Sequence, residues 1–173
     1  MKKIALLLMP LLLIIVMSSS MVSNSEAAEP EYKPFVAKPG TQTETVYIHE
    51  LRSDKSGVHA VVDPIEWYEG EAAQKAFVKY EPDADIDGPL DGYYIVNPDD
   101  TLVTYPVAAN AEVLMQIYDR GGMDSDISWN EPVSLEKFIH IFGQSDLFDL
   151  SYFPYHITIE KGQITSIVQQ YIP

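Results

Sequence analysis

The chain contains no cysteine. Disulfides, thiolate nucleophiles and cysteine-ligated metals are therefore excluded, and so is a lipid anchor carried on a lipobox cysteine. Stability has to come from a packed core. Positive charge is scarce: 11 Lys and Arg face 26 Asp and Glu, a formal net charge of −15 at pH 7. Such a surface is repelled by phosphate backbones and anionic lipid, which argues against nucleic-acid and membrane-surface partners. Cations, basic surfaces and divalent metals are the favoured partners, although the same charge also serves solubility. The glycine-rich loops that cradle nucleotides are missing, since neither G-x-x-x-x-G-K-[ST] nor G-x-G-x-x-G occurs. No G-x-S-x-G nucleophile turn occurs either. Of the four histidines, His49 opens a sequence resembling H-E-x-x-H, but Ser53 stands where the second His must be. His49 and His59 fall on neighbouring expected strands, where they could form a cross-strand pair.

No apolar run reaches the roughly 20 residues that span a bilayer. The run at residues 4–17 has 14 residues and follows Lys2 and Lys3. A positive start, this short apolar stretch, and Ser25 and Ala27 at −3 and −1 make a secretory signal cleaved after Ala27. The chain then divides into a signal peptide at 1–27, a flexible linker at 28–43 and a single α+β domain at 44–173. Cleavage removes two of the 11 basic and one of the 26 acidic residues, leaving a charge near −16. The linker carries three prolines and Gly40, a composition that keeps a chain extended. Tyr32 and Phe35 also allow it to pack loosely. The mature protein is expected to be extracellular, with no membrane span.

Beyond the linker, alternation of apolar residues marks strands at 44–51 and 58–63, joined by the polar turn 53–57 and ended by Pro64. Residues 71–80 have helical spacing at Ala72, Ala73, Ala76, Phe77 and Tyr80, and Pro82 stops them. Two aromatic-apolar runs, 93–97 and 101–107, flank Asn97-Pro98-Asp99-Asp100 and read as a central hairpin. Pro106 places the second run near an edge or a bulge. Residues 111–118 read as a further strand and 120–131 as a polar loop. A second helix covers 135–142, with Ser134 as N-cap and Gly143 at its end. A C-terminal hairpin turns at Lys161-Gly162 and sets Ile157 and Ile159 against Ile164 and Val168, or Ile167 if a bulge intervenes. The order is ββ-α-βββ-α-ββ. It predicts a predominantly antiparallel sheet, or a small open barrel, with two helices packed on it.

The stretch with the most chemistry is residues 83–91. Asp83, Asp85 and Asp87 alternate and Gly88 follows, as in the first half of an EF-hand-type calcium loop. Leu90 matches the apolar eighth position and Asp91 the ninth. The match fails at position twelve, where Tyr94 replaces the bidentate carboxylate, and Pro89 stiffens position seven. Calcium bound by Asp83, Asp85, Asp87 and Asp91 is the one cofactor the sequence suggests, and none is required. Asp119, Asp124 and Asp126 form a looser second acidic group around Gly121 and Gly122. Carboxylate pairs of the kind used in glycoside hydrolysis are abundant but undistinguished. Aromatic residues are the other resource: Tyr93, Tyr94, Tyr105, Tyr118, Tyr152, Phe153, Tyr155 and Tyr171, with Trp67 and Trp129. An outward-facing subset could stack on a sugar or peptide.

The segments V-V-D-P-I-E-W-Y-E-G-E-A (61–72), D-G-Y-Y-I-V-N (91–97), T-Y-P-V (104–107) and the C-terminal K-G-Q-I-T-S-I-V-Q-Q-Y-I-P together resemble a group of small exported proteins and lipoproteins of Gram-positive bacteria. The resemblance spans roughly residues 44–173 and implies export and a single domain. It implies no activity and no site residue, and this chain departs from the lipoproteins in lacking the lipobox cysteine. The expected function is a non-catalytic binding or interaction module of the cell envelope or extracellular space, its partner a protein or an envelope component. The alternative is a carboxylate-dependent hydrolase acting on an envelope polymer.

Overall fold

The computed structural model describes residues 32, 34–121, 126–144 and 149–172. The expected signal peptide lies outside them. Period-two alternation first builds two long strands, β1 (Gln42–Asp54) and β2 (Gly57–Glu69). Val46 and Ile48 on β1 and Ala60 and Val62 on β2 are fully buried, so each strand turns one face to a common core. The turn between them is tighter than the sequence suggests. Asp54 pairs with Gly57, and the Ser56 amide donates to Asp54 Oδ1 at 2.7 Å.

β2 does not end at Pro64. Its first half pairs with β4 (Val103–Met115) through Val58–Val62, and its last residues pair with β3 (Tyr93–Val96) through Glu66–Glu69. Residues 63–65 fall between these two partners, on a side where no strand asks for the N–H that Pro64 lacks. The expected central hairpin 93–97/101–107 is therefore absent. Its two arms do not pair with each other; they lie end to end along β2. The expected strands 101–107 and 111–118 are one strand, β4, whose register shifts between Val107 and Glu112 as it passes from β2 to β7 (Gln163–Gln169). The third strand between the helices is instead β5 (Glu131–Val133), which begins at the last residue of the stretch expected to be a polar loop.

The ring runs β2-β1-β6-β7-β4 and back to β2, with β6 at Pro154–Glu160. The barrel is thus closed, not open, and closure leaves no long unpaired edge. Every pairing is antiparallel except β4–β7, because the connection from β4 through β5 and α2 (Leu135–Phe142) returns on β6 before β7 completes the ring. Pro106 sits on β4 before the β7 pairing begins at Val107, so its expected edge position is met. The final hairpin turns on Lys161 and Gly162, both at positive φ (52° and 78°), the geometry of a two-residue type I′ turn. A register shift after Thr158 sets Ile157 against Ile167 and Ile159 against Ile164.

The two helices lie where amphipathic spacing directs them. In α2 the Lys137 amide donates to Ser134 Oγ at 3.1 Å, and Leu135 and Phe138 join the barrel core. Phe138 meets Tyr155 edge-on at 5.8 Å. The other helix, α1 (Gly70–Tyr80), buries Ala73 and Ala76 and packs on the β2–β3 extension, where Phe77 meets Tyr94 at 5.5 Å.

One seam of the barrel is joined by side chains. Buried Gln169 Oε1 accepts from the backbone amides of Gln116 (2.8 Å) and Ile117 (3.0 Å). Gln116 Nε2 donates in return to the Gln169 carbonyl and to Asn130 Oδ1, both at 3.0 Å. Removing the Gln169 acceptor leaves the buried Gln116 amide and the part-buried Ile117 amide without their partner. Gln169→Met, which keeps the volume, is expected to cost about 2–4 kcal/mol. Urea unfolding should show a lower midpoint at unchanged slope.

Candidate functional site

Asp83, Asp85, Asp87 and Asp91 all lie exposed in the irregular segment between α1 and β3. Leu90, which would pack inward in a calcium loop, is 88% exposed. Tyr94, at the position where a calcium loop needs its closing carboxylate, donates its hydroxyl to Glu81 at 2.9 Å. Among the described residues no group of three His, Asp or Glu is gathered as a metal ion would require. The calcium expectation therefore rests on sequence spacing alone. In the second acidic group, Asp119 accepts from the Gly121 amide at 2.7 Å, Arg120 donates to the Asp126 carbonyl at 2.6 Å, and Asp124 lies outside the described residues. His49 and His59 are not cross-strand partners: Arg52 stands opposite His59, and His49 sits at the register shift of β1.

Asp91 does belong to a built feature, an aromatic cleft of about 320 Å³. Its first wall comes from the β2–β3 extension. Trp67 lies opposite Ile95, and Glu69 opposite Tyr93, so Trp67 and Tyr93 are diagonal neighbours on one sheet face. Their rings stack at 4.7 Å with 14° between planes. The second wall comes from Trp129, just before β5, and Tyr171, just after β7. These two meet edge-on at 5.4 Å and 89°. Tyr32, from the segment expected to be a linker, tilts against Trp129 at 4.8 Å. Glu69 and Asp91 are exposed lining residues of the same cleft. The sequence supplied Trp67, Tyr93, Trp129 and Tyr171 among its aromatic candidates but no reason to group them. Tyr32 is identifiable in the sequence only as one of the few apolar residues of the spacer.

Beneath the cleft the structure holds a buried histidine that the sequence did not single out. His156 lies on the outer side of β6, with Phe35 stacked on it at 4.8 Å and Trp67 edge-on at 6.5 Å. Its Nε2 contacts Gln170 Oε1 at 2.9 Å and its Nδ1 contacts Thr45 Oγ1 at 3.0 Å. An amide oxygen can only accept, so Nε2 carries the proton and Nδ1 accepts from the hydroxyl. Gln170 Nε2 then donates to the Tyr32 hydroxyl at 3.1 Å and to the Tyr171 carbonyl at 2.9 Å. The described part of the expected linker is accordingly not free. It packs as a strap over the barrel, and His156 and Gln170 hold two of the cleft's rings in place.

Nearby, Asp63 is buried. Its Oδ2 accepts from Asn97 Nδ2 at 2.7 Å and lies 3.9 Å from His49 Nε2, while Oδ1 has no partner. Burial, followed by the charges of Tyr93 and Asp63, raises the Tyr47 hydroxyl pKa above its ordinary value. Comparison with protein-family models, curated proteins and solved structures returned no match. Among the described residues no helix is long and apolar enough to cross a membrane.

Burial lowers the His156 pKa below 6.5, against opposing contributions from the Gln170 hydrogen bond and the Glu69 charge. In the unfolded chain the imidazole takes up a proton first, so the unfolded state binds more protons below about pH 6.5. Stability is complete above that pH and falls as pH drops toward the lowered folded pKa. Melting temperature should decline between pH 7.5 and 5, before carboxylates titrate, and His156→Gln should flatten that decline. A separate melt addresses the acidic loop. A rise in melting temperature with millimolar calcium, lost in Asp85→Ala and Asp87→Ala, is the result a calcium site requires.

Proposed function

We propose that this protein is a non-catalytic binding module of the cell envelope or extracellular space, and that it takes its ligand in the aromatic cleft. The observation that carries this reading is convergence. Five aromatic side chains from five separate stretches of sequence line one concavity. Its volume lies within the range of about 300–1,000 Å³ typical of small-ligand sites. Rings used only for core packing do not need to face an opening, and the barrel core is complete without these five. The extracellular setting rests on the signal-like N-terminus and on the resemblance to small exported Gram-positive proteins.

The architecture offers a second, more general argument. A five-stranded Greek-key barrel with a helix ahead of its fourth strand is of the OB type, in which oligonucleotides and oligosaccharides often lie across the second and third strands. Here those strands are β2 and β4. Val58, Ala60, Val62, Val103, Tyr105 and Val107 point into the core, which leaves His59, Val61, Thr104 and Pro106 facing out. Where β2 pairs with β4 that face has no Phe, Tyr or Trp on which bases could stack, and the first ring on the β2 side of it is Trp67, in the cleft. With the net charge of −15, this supports a ligand other than nucleic acid, bound elsewhere on the barrel. The hydrolytic alternative has less support. Glycoside hydrolysis needs one carboxyl kept protonated by desolvation, and both cleft carboxylates, Glu69 and Asp91, are exposed.

Co-sedimentation of the protein with purified envelope polymer tests the reading. The wild type should be retained, and Trp129→Ala and Tyr171→Ala should each weaken retention about three- to tenfold, the range for loss of one aromatic contact. Tyr152→Ala, a 73% exposed ring outside the cleft, should bind as the wild type. Equal retention of all four proteins would remove the cleft from consideration, and soluble fragments released from the polymer would favour the hydrolase.

A further inference from the structure

We infer that the group seated in the aromatic cleft is an alkylammonium cation, held between the Trp67–Tyr93 stack and the Trp129–Tyr171 pair and by the carboxylates of Glu69 and Asp91. The inference rests on the cleft being a binding site and specifies what it binds. Ring faces carry negative potential and attract a soft, weakly hydrated cation from several directions at once. The cleft supplies different directions: one wall is a near-parallel Trp67–Tyr93 stack, and the other is a Trp129–Tyr171 pair set at 89°.

The polar lining narrows the choice. Free side-chain amides around a stacked ring suit a neutral sugar. Gln170, the neutral amide of the cleft, is already engaged by His156, Tyr32 and Tyr171. The cleft's side-chain polar groups with no hydrogen bond or ion pair among the described residues are the Tyr93 and Tyr171 hydroxyls, the Trp67 and Trp129 indole N–H groups and the Glu69 and Asp91 carboxylates, and of these only the two carboxylates carry charge. Two carboxylates do not make a site for a hard metal ion, which needs more oxygens than these. They do complement an ammonium group between aromatic walls.

The chain itself provides a comparison. Two other tyrosine faces are covered by its own cations: Lys79 lies 4.4 Å from the Tyr80 ring centre, and Arg120 and Lys137 lie 4.5 and 4.7 Å from that of Tyr118. No described Lys or Arg lines the cleft. Among the described residues its rings and carboxylates have no cation of the chain's own, and a cation from outside fits there.

The protein has two tryptophans, and both line the cleft, so intrinsic fluorescence reports on this site directly. The test titrates the mature protein at constant ionic strength with tetramethylammonium and n-butylammonium chlorides. The neutral analogues tert-butanol and n-butanol serve as controls. A saturable emission change with either ammonium ion and none with the alcohols is expected. A response to tetramethylammonium points to a quaternary headgroup, and a response to butylammonium points to a lysyl-type amine. Glu69→Gln combined with Asp91→Asn should weaken the response about tenfold, roughly what 1.4 kcal/mol of lost attraction gives. Both residues are exposed, and Glu69 makes no side-chain capping bond to α1, so the melting temperature should not move. Equal responses to alcohols and ammonium ions, no response to any of them, or an unchanged affinity in the double variant would overturn the cation. Ring-dependent retention on envelope polymer alongside such a result would leave the cleft a binding site for a neutral ligand. Retention unaffected by Trp129→Ala and Tyr171→Ala would overturn both.

Discussion

The structure depends on a division of labour along one strand. β2 must satisfy β1 along one side and two different partners, β4 and β3, along the other. Closing the barrel uses its first half, Val58–Val62. Carrying the aromatic wall uses its second half, Glu66–Glu69. The three residues between have no strand beside them on that side, and the chain fills the gap with groups suited to it. Pro64 has no N–H to leave unpaired, Ile65 is buried, and Asp63 reaches Asn97 beyond the end of β3. A buried carboxylate is costly unless hydrogen-bonded, so this contact fixes where β3 departs from the barrel. The positions of Trp67 and Tyr93 follow from it.

The second wall of the cleft has a different origin. Trp129 and Tyr171 stand at the ends of segments that the barrel seam brings together. Gln116 binds Gln169 and Asn130, and Gln170 binds His156 and Tyr32. Two consecutive glutamines thus do separate work: Gln169 replaces ladder bonds at the seam, and Gln170 ties the strap and the tail to the outside of β6. A small barrel can afford polar groups at such depth only because nearly all of them are paired, and Gln169 Nε2 is one of few exceptions. Burial under Phe35 and Trp67 disfavours the charged form of His156, and the cleft is built over that closed layer.

Much of the secondary structure was legible in the chain. Leu135, Phe138, Ile139 and Phe142 recur at helical spacing, and Lys161-Gly162 can hardly be anything but a tight turn. Alternation at Val46 and Ile48 gives a strand wherever it is placed. Partner choice was not legible. The runs at 93–97 and 101–107 suit a hairpin by every local measure, and β2 takes both because it is long enough to do so. The Ala108-Ala109-Asn110 interruption looks like a break between two strands and is the place where one strand changes neighbours. Glu131 and Val133 form a strand because Val113 and Met115 offer an edge, which no local pattern announces.

The same line separates what was known of the site. By itself the sequence determined composition-level facts: an acidic, cysteine-free chain with many tyrosines, two tryptophans and an Asp-rich turn before residue 93. Local spacing drew attention to Asp83, Asp85 and Asp87 because carboxylate spacing is a pattern within a few residues. Tertiary structure decided that Asp91 faces an aromatic cleft and that Tyr32, Trp67, Tyr93, Trp129 and Tyr171 share it. Those residues come from parts of the chain up to 139 positions apart, as Tyr32 and Tyr171 are. Their meeting depends on closure of the ring, a property of strand pairing over the whole chain that no window of sequence contains.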